Sequence, residues 1–129
     1  MMVADSDLLI DFLRGKDPGR ARIKLELATG GLATTAVNAF ELLSGARSDG
    51  EREKVSKLLA AMTILPFDEP AATEAANIRV QLETEGTGIG MGDYLIAGVC
   101  LEHRATLLTR NLTHFRRVPG LNIGGQAPR

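Results

Sequence analysis

Short apolar segments alternate with helical segments along the whole chain, and this alternation restricts the fold more than any other feature. Buried strands are predicted at residues 2–4, 32–34, 63–67 and 106–109, with a short edge strand at 121–123. The first four strands are separated by enough chain for at least one helix each. Strands that alternate with helices predict a parallel sheet covered on both faces. We therefore expect an α/β protein with three α/β/α layers around a central parallel sheet.

Capping residues predict where several helices begin. Ser6 or Asp7 is expected to cap the first helix, and Thr35 is expected to cap the helix that follows the second strand. The most apolar helix is predicted over residues 93–103, and its composition indicates burial on nearly every side.

The length of 129 residues predicts one domain, which we place at residues 1–123, followed by a flexible tail at 124–129. No apolar run approaches the roughly 20 residues of a membrane span, and the first five residues lack the basic region of a secretory signal. The one cysteine, Cys100, cannot form a disulfide within the chain and is expected in the core. We therefore expect a cytoplasmic protein without a membrane partner.

The charges are unevenly distributed, although the formal net charge is only -1. Residues 1–13 carry three acids and no base, whereas residues 103–129 carry five arginines and no acid. A nearly neutral total argues against binding nucleic acid by bulk charge. It still allows a small basic rim beside an acidic pocket.

Four polar residues matter most, because each lies at the end of an element or on a helix expected to face the sheet: Asp5, Glu41, Asp93 and Asn111. Asp5 follows the first strand, and Thr109 and Asn111 lie at and beyond the end of the fourth. Glu41 lies on a mostly apolar helix expected to face the sheet, and Asp93 begins the most apolar helix. Buried carboxylates that converge are costly, and Mg²⁺ or Mn²⁺ would relieve their repulsion.

Each acid also has an ordinary structural explanation. Asp93 could cap its helix, Asp5 could be a polar strand end, and Glu41 could be a solvated helix residue. Taken singly, these explanations outweigh a metal ligand. The serial order of the acids and the Thr-x-Asn segment favours one shared site.

Four segments resemble the motifs of a known family, in the same order and with similar spacing: residues 2–15 (MVADSDLLIDFLRG), 34–45 (TTAVNAFELLSG), 89–98 (IGMGDYLIAG) and 107–115 (LLTRNLTHF). Together they resemble the motifs of PIN-domain ribonucleases, especially VapC-type toxins. The resemblance extends over essentially the whole chain, with residues 118–123 resembling the end of the domain. It implies a three-layer α/β/α fold and a magnesium-dependent endoribonuclease, with Mn²⁺ as an alternative metal.

The resemblance also implies site residues. Asp5, Glu41 and Asp93 match the metal ligands of the family. Thr109 and Asn111 match a fourth position where many relatives carry an aspartate, so the missing acid weakens any second metal site.

Two neighbouring residues are expected to support the site. Ser6 follows the first acid, and Asp7 stands where relatives often have Ser, Asn or Thr. Asp7 either compensates for the missing fourth acid or caps the first helix.

The expected reaction is hydrolysis of an RNA phosphodiester bond. A cation held by Asp5 and Asp93 would polarise a water molecule, with Glu41 as a ligand or base. The products would carry 5′-phosphate and 3′-hydroxyl ends. Three arginines near the same sheet edge could hold RNA phosphates: Arg110, Arg116 and Arg117. The resemblance further implies a cognate antitoxin and a homodimer packed through apolar helix faces.

Two other functions remain open from the sequence. A PIN module weakened by Asn111 could bind RNA or a protein without cutting. A haloacid-dehalogenase-type phosphatase could use Asp5 and Asp7, but it needs a late lysine, and all four lysines lie in the first half of the chain. His103 and His114 match no compact zinc spacing, and His103 is expected at a helix C-terminus.

Overall fold

The structure, a computed structural model, describes residues 1–124 and contains one sheet of five parallel strands. The strands are β1 (Met2–Ala4), β2 (Leu32–Thr35), β3 (Thr63–Leu65), β4 (Thr106–Leu108) and β5 (Asn122–Ile123). Their order across the sheet is β3-β2-β1-β4-β5, and every neighbouring pair is parallel. The predicted parallel sheet is therefore confirmed. The third strand is shorter than expected and ends before Pro66, which has no backbone N–H to donate to a sheet.

Seven helices lie between and beside the strands of the described chain. They are α1 (Ser6–Arg14), α2 (Gly19–Ala28), α3 (Ala36–Gly45), α4 (Asp49–Ala60), α5 (Glu69–Thr84), α6 (Met91–His103) and α7 (Leu112–Phe115). Adjacent strand residues serve different cores: Val3 packs in the cluster that contains α5 and α6, and Ala4 packs in the cluster that contains α1 and α4. Two cores on opposite faces of one sheet confirm the three-layer α/β/α architecture.

The helix starts correct two of the sequence predictions. Asp5, rather than Ser6 or Asp7, is the N-cap residue of α1, and its side chain accepts a hydrogen bond from the backbone N–H of Ser6. Helix α6 begins at Met91 after the N-cap residue Gly90, so Asp93 is the third residue of the helix and not its cap. The Asp93 carboxylate is therefore available for another contact.

Thr35 caps α3 as predicted, because its hydroxyl oxygen accepts from the backbone N–H of Asn38. This cap fixes the first turn of α3 directly beyond the end of β2. It thereby places the Asn38 side chain at the carboxyl edge of the sheet, which is the edge that carries the candidate site.

Helices α5 and α6 approach each other closely at Gly98. A Cβ atom at this position would lie 2.6 Å from the carbonyl oxygen of Ala71 and 2.7 Å from the Cβ of Ala75. Tyr94 and residues 96–100, including Cys100, are buried, which confirms the predicted burial of this helix. Close packing of α6 against α5 fixes the helix whose first turn carries Asp93.

The C-terminal end of the described chain is tied to the sheet. Gly124, expected to begin the flexible tail, donates its backbone N–H to the carbonyl of Leu107 at 2.9 Å. The rest of the expected tail, residues 125–129, lies outside the described residues. Among residues 1–124, no helix has the length and apolar character needed to cross a membrane.

Candidate active site

Asp5 is a buried carboxylate held by donors from three different parts of the fold. It follows β1 and is 7% exposed. The backbone N–H of Ser6 and the side-chain amide of Asn38 donate to its Oδ1 at 2.8 and 3.0 Å. The hydroxyl of Thr109, beyond β4, donates to its Oδ2 at 2.7 Å. These contacts fix the orientation of the Asp5 carboxylate before any ligand binds.

The electrostatic surroundings of Asp5 disfavour its charge. Burial raises the pKa of Asp5 to about 6, and the neighbouring Asp7 carboxylate also raises it. Hydrogen bonds from Thr109 and Ser6 act in the opposite direction, and Glu41 adds a smaller increase. We call Asp5 with its partners Ser6, Asn38 and Thr109 the Asp5 corner of the site. A bound cation would favour the ionised form of Asp5, so this corner has the electrostatic character of a metal-binding position.

Asn38 and Ser6 connect Asp5 to Glu41. The Asn38 amide donates to Ser6 Oγ at 2.9 Å, and Ser6 Oγ donates to Glu41 Oε1 at 2.7 Å. Glu41 itself is exposed, on the helix that was predicted to face the sheet, and its carboxylate reaches the site through Ser6. A Cβ atom on Gly92 would lie 3.2 Å from Glu41 Oε2, which places Glu41 beside the first turn of α6.

A second set of contacts runs from Asp5 to Asp93. The backbone N–H of Asn111 donates to Thr109 Oγ1 at 3.0 Å, and the Asn111 side-chain nitrogen lies 3.1 Å from His114 Nδ1. His114 Nδ1 in turn lies 2.9 Å from Asp93 Oδ2. The side chain of Asp93 is 22% exposed, and that of His114 is 40% exposed. These three residues, Asp93, Asn111 and His114, form the Asp93 corner of the site, which is thus more open than the Asp5 corner.

The structure connects the predicted site residues through hydrogen bonds rather than in one cluster of ligands. Asp5, Glu41, Asp93 and Asn111 all belong to the two sets of contacts described above. Within residues 1–124, however, no three His, Cys, Asp or Glu side chains lie in an arrangement that could hold a metal ion. The assignment of Asp5, Glu41 and Asp93 as metal ligands therefore stays a prediction.

Two residues of the site, Asn38 and His114, were not predicted from the sequence. Asn38 lies three residues before Glu41 on α3, and His114 lies three residues after Asn111. Side chains three positions apart in a helix share a face, so this spacing was the available signal.

Two of the three arginines predicted near the site, Arg110 and Arg117, have partners within the fold. The backbone N–H of Arg110 donates to Asp7 Oδ2 at 2.9 Å, and its guanidinium pairs with Asp11, with Nε 2.9 Å from Oδ2. Arg117 donates to the carbonyl of Gly88 at 3.0 Å. Both guanidinium groups remain at the surface, and their predicted role in RNA binding stays a prediction.

Comparison with known proteins identifies the family. The PIN domain model matches residues 2–121. This chain belongs to the PIN-domain family. The PIN-domain protein is also 34% identical to ribonuclease VapC10 of Mycobacterium tuberculosis, in a match that spans 100% of this chain and 99% of the relative. It is 28% identical to the tRNA(fMet)-specific endonuclease VapC of Salmonella typhimurium, over 92% of each chain.

Solved structures have the same fold. A structure of DNA-bound VapBC from Salmonella typhimurium matches with a TM-score of 0.82 and 26% identity, over 95% of this chain and 96% of that one. A toxin–antitoxin complex from Klebsiella pneumoniae matches with a TM-score of 0.79 and 21% identity, over 98% and 99% of the two chains. These relationships confirm the predicted family and fold, and they favour neither alternative, the weakened PIN module or the phosphatase.

Proposed function

We propose that this PIN-domain protein is the endoribonuclease toxin of a toxin–antitoxin pair and uses Mg²⁺ or Mn²⁺ to hydrolyse RNA. The VapC relatives support the nuclease activity. The observation that carries the metal dependence is Asp5, a nearly buried carboxylate whose orientation is fixed by hydrogen bonds. Its pKa is raised to about 6 by burial and by neighbouring carboxylates, which makes it a group that gains from a nearby cation.

The oxygen donors at this site suit a hard divalent cation. Asp5 and Asp93 would hold it, with Glu41 as a further ligand or as the base, and Asn111 would offer a neutral amide oxygen at the fourth position. When bound, such a cation polarises a water molecule and offsets the negative charge that develops on the phosphate.

The protein side chains have separate roles in this proposal. Thr109 and Asn38 hold Asp5 in one orientation, so no reorganisation is needed during the reaction. Glu41 is exposed and held by the Ser6 hydroxyl, so its free oxygen can accept a proton from the attacking water. The RNA 2′-hydroxyl does not react, and the products carry 5′-phosphate and 3′-hydroxyl ends.

Cleavage assays on purified protein test the activity. Asp5→Asn and Glu41→Gln should each lower cleavage of a panel of structured RNAs, including initiator tRNA, by at least about a hundredfold. Glu53→Gln is the matched control, because Glu53 is an exposed helix residue that pairs with Lys57. Chelation of divalent cations should stop the reaction. Equal cleavage by Asp5→Asn and the parent would contradict the assignment.

The weakened PIN module, which the relatives do not favour, has its own test. Asn111→Asp restores an acid at the fourth position. If the parent binds RNA without cutting it and Asn111→Asp cuts, then the neutral residue limits the activity and the binding-only alternative is correct for this chain.

The exposed arginines are proposed to hold phosphates of the RNA. Arg116 and Arg117 are exposed on the segment that follows α7, close in sequence to His114. Each replacement by Ala should raise KM several-fold with little change in kcat. Each should also reduce the slope of the logarithm of the RNA-binding constant against the logarithm of the salt concentration by an amount equal to about one phosphate contact. Arg79→Ala is the control, because Arg79 pairs with Glu83 on α5. An unchanged salt dependence in both variants would contradict the role.

The antitoxin is proposed to occupy a cleft of about 290 Å³ between α1, α3 and α4. Leu13 and Leu42 provide apolar walls, Arg14 and Lys54 provide positive charge, and Glu41 lies at the edge. A segment bound there would cover Glu41. Leu13→Asp should weaken the complex with the antitoxin at least about tenfold. Leu25→Asp, at an exposed position of α2, should not weaken it. Equal affinities of the two variants for the antitoxin would contradict binding in this cleft.

A homodimer is proposed through the exposed apolar surface around Phe40. Phe40 is 69% exposed and lines a shallow groove of about 480 Å³ with Ile64 of the edge strand β3. Phe40→Ser should shift the protein to a monomer in sedimentation experiments, whereas Leu25→Ser should not. A parent protein that sediments only as a monomer would contradict the proposal.

A further inference from the structure

Arg110 lies between Thr109 and Asn111 and is bound to α1 through both its backbone and its side chain. Its backbone N–H donates to Asp7 Oδ2 at 2.9 Å. Its guanidinium makes a two-point contact with Asp11, in which Nε lies 2.9 Å from Oδ2 and Nη2 lies 3.2 Å from Oδ1. Asp7 and Asp11 are four positions apart on α1 and share one face of the helix. That face therefore holds Arg110 at two separate points.

The Asp11 carboxylate is buried beside the start of α2. Asp11 is 7% exposed. A Cβ atom on Gly19, the first residue of α2, would lie 2.5 Å from Asp11 Cβ and 2.6 Å from its Oδ2. Glycine at this position leaves the space that the Asp11 side chain occupies. A buried carboxylate is costly without a paired cation, and Arg110 supplies that cation.

An RNA phosphate would have to compete with Asp11 for the Arg110 guanidinium. About half of the Arg110 side chain is exposed, but both carboxylate oxygens of Asp11 already accept hydrogen bonds from it. The sequence suggested a phosphate-binding role because of the positive charge, and the structure pairs this charge within the fold. The ion pair instead holds the chain segment on either side of Arg110.

This segment, residues 109–111, orients the Asp5 carboxylate. Thr109 Oγ1 donates to Asp5 Oδ2 at 2.7 Å, and the backbone N–H of Asn111 donates to Thr109 Oγ1 at 3.0 Å. We propose that Arg110 is a positioning residue, which holds residues 109–111 against α1 through Asp11 and thereby keeps the Thr109 hydroxyl on Asp5. The effect on catalysis rests on the proposed function, whereas the effect on the order of the segment does not.

Positioning and phosphate binding predict different kinetics. Arg110→Gln and Asp11→Asn should each lower kcat about tenfold, with KM changed less than about twofold. If Arg110 held a phosphate, Arg110→Gln would raise KM, and Asp11→Asn would lower KM because it releases the guanidinium for RNA. Arg79→Gln is the control, because it breaks an exposed ion pair with Glu83 on α5.

A double variant separates positioning from a loss of folding. Arg110→Gln alone leaves the Asp11 carboxylate buried without its cation and lowers stability. Arg110→Gln combined with Asp11→Asn removes both charges and should unfold close to the temperature of the parent. Because the two residues act as one pair, this double variant should lose about as much kcat as either single variant. A folded double variant with the kcat of the parent would overturn the proposal, since a purely structural pair behaves in this way.

The order of the segment is measured without RNA or metal. Asp11→Asn leaves the sequence of residues 109–111 unchanged, so amide hydrogen exchange in ¹⁵N-labelled protein can be compared directly with the parent. The backbone amides of Arg110 and Asn111 should exchange at least about tenfold faster in Asp11→Asn. The amide of Asn38, which is held by Thr35 at the start of α3, is the internal control and should keep its rate. Unchanged exchange at positions 110 and 111 would overturn the proposal.

The kinetic and exchange experiments separate this inference from the proposed function. If the parent cleaves no RNA, the proposed function fails, and faster exchange in Asp11→Asn still supports the positioning of the segment. If the parent cleaves RNA and Arg110→Gln raises KM with kcat unchanged, Arg110 is a phosphate ligand and the inference is overturned.

Discussion

The Asp5 corner and the Asp93 corner of the site hold their carboxylates in different ways. Asp5 is buried and receives hydrogen bonds from Ser6, Asn38 and Thr109, which belong to three separate parts of the fold. Asp93 is partly exposed in the first turn of α6, and the side chain at hydrogen-bonding distance from its carboxylate in the described structure is His114. The Asp5 corner is therefore fixed by the sheet, whereas the Asp93 corner depends on a few surface side chains.

This difference separates what the fold imposes from what this particular chain adds. The Asp5 corner uses strand ends and helix caps, and the resulting burial opposes the charge of its carboxylate. The Asp93 corner carries the two residues that depart from an all-acid site, Asn111 and His114. We therefore expect changes at Asp5 to affect activity and stability together, and changes at Asp93 to affect mainly activity.

The largest effect is expected for Asp5→Asn, which should lower cleavage at least about a hundredfold and yet stabilise the metal-free protein at pH 7. Asn retains an acceptor for Ser6 and Asn38, and the Thr109 hydroxyl can donate instead to Asp7 Oδ2, 3.3 Å away. The charge that opposed burial is removed. We expect a gain of roughly 1 kcal/mol, with a ceiling of about 3 kcal/mol, in the free energy of unfolding by urea.

Glu53→Gln, at an exposed position of α4 beyond the first turn, is the control for Asp5→Asn and should change stability by less than about 0.5 kcal/mol. A destabilised Asp5→Asn protein would mean that the carboxylate is structural. The two corners would then not differ in the way described.

Asp93→Asn should reduce cleavage by a similar factor, but it should destabilise the protein, whereas Asp5→Asn should stabilise it. Asp93 lies in the first turn of α6, where its negative charge interacts favourably with the helix dipole. Neutralising it should lower the free energy of unfolding by about 0.5 kcal/mol, measured in the same urea titrations. A stabilisation equal to that of Asp5→Asn would remove the distinction between the corners.

Thr109→Val should lower cleavage by about tenfold and destabilise the protein by about 1–2 kcal/mol. The Thr109 hydroxyl donates to Asp5 at 2.7 Å and accepts from the Asn111 backbone at 3.0 Å, and valine does neither. Thr109→Ser keeps the hydroxyl and should retain most of the activity. If the valine and serine variants behave alike, then the side-chain shape and not the hydroxyl supports Asp5.

A smaller effect is expected in the pH dependence of stability without metal. Folding raises the pKa of Asp5 from 3.8 to about 6, so the folded protein binds a proton more readily than the unfolded chain. The unfavourable contribution of Asp5 is fully present above pH 6 and decreases as the pH falls from 6 toward 4. The difference in unfolding free energy between Asp5→Asn and the parent should therefore shrink by about 1 kcal/mol from pH 7 to pH 5. A constant difference would contradict the raised pKa.

The sequence predicted the elements whose signals are local. Apolar runs located the strands, and the hydroxyl of Thr35 marked the start of α3. The position of Asp5 at the end of β1 and that of Thr109 beyond β4 followed from the rule for parallel sheets, and the structure joins them by a hydrogen bond. These features depend on a few neighbouring residues, so one sequence was enough.

The contacts between distant segments were not predictable in the same way. Asn38 appeared as an ordinary polar residue, yet it links Asp5 and Ser6 across more than 30 positions. His114 reaches Asp93 only because α7 lies near the start of α6. Asp93 looked like a helix cap because Gly90 gives no side-chain signal for the true start. Such relations follow from tertiary packing and not from local spacing.

The most direct test of the central claim is a crystal structure of the protein soaked in Mn²⁺, with anomalous diffraction used to locate the metal. We predict an anomalous peak between the carboxylates of Asp5 and Asp93, with Glu41 contacting it directly or through water. The same peak should be missing in Asp5→Asn crystals. A peak elsewhere, or none at a saturating concentration of Mn²⁺, would contradict the claim that these acids form one metal site.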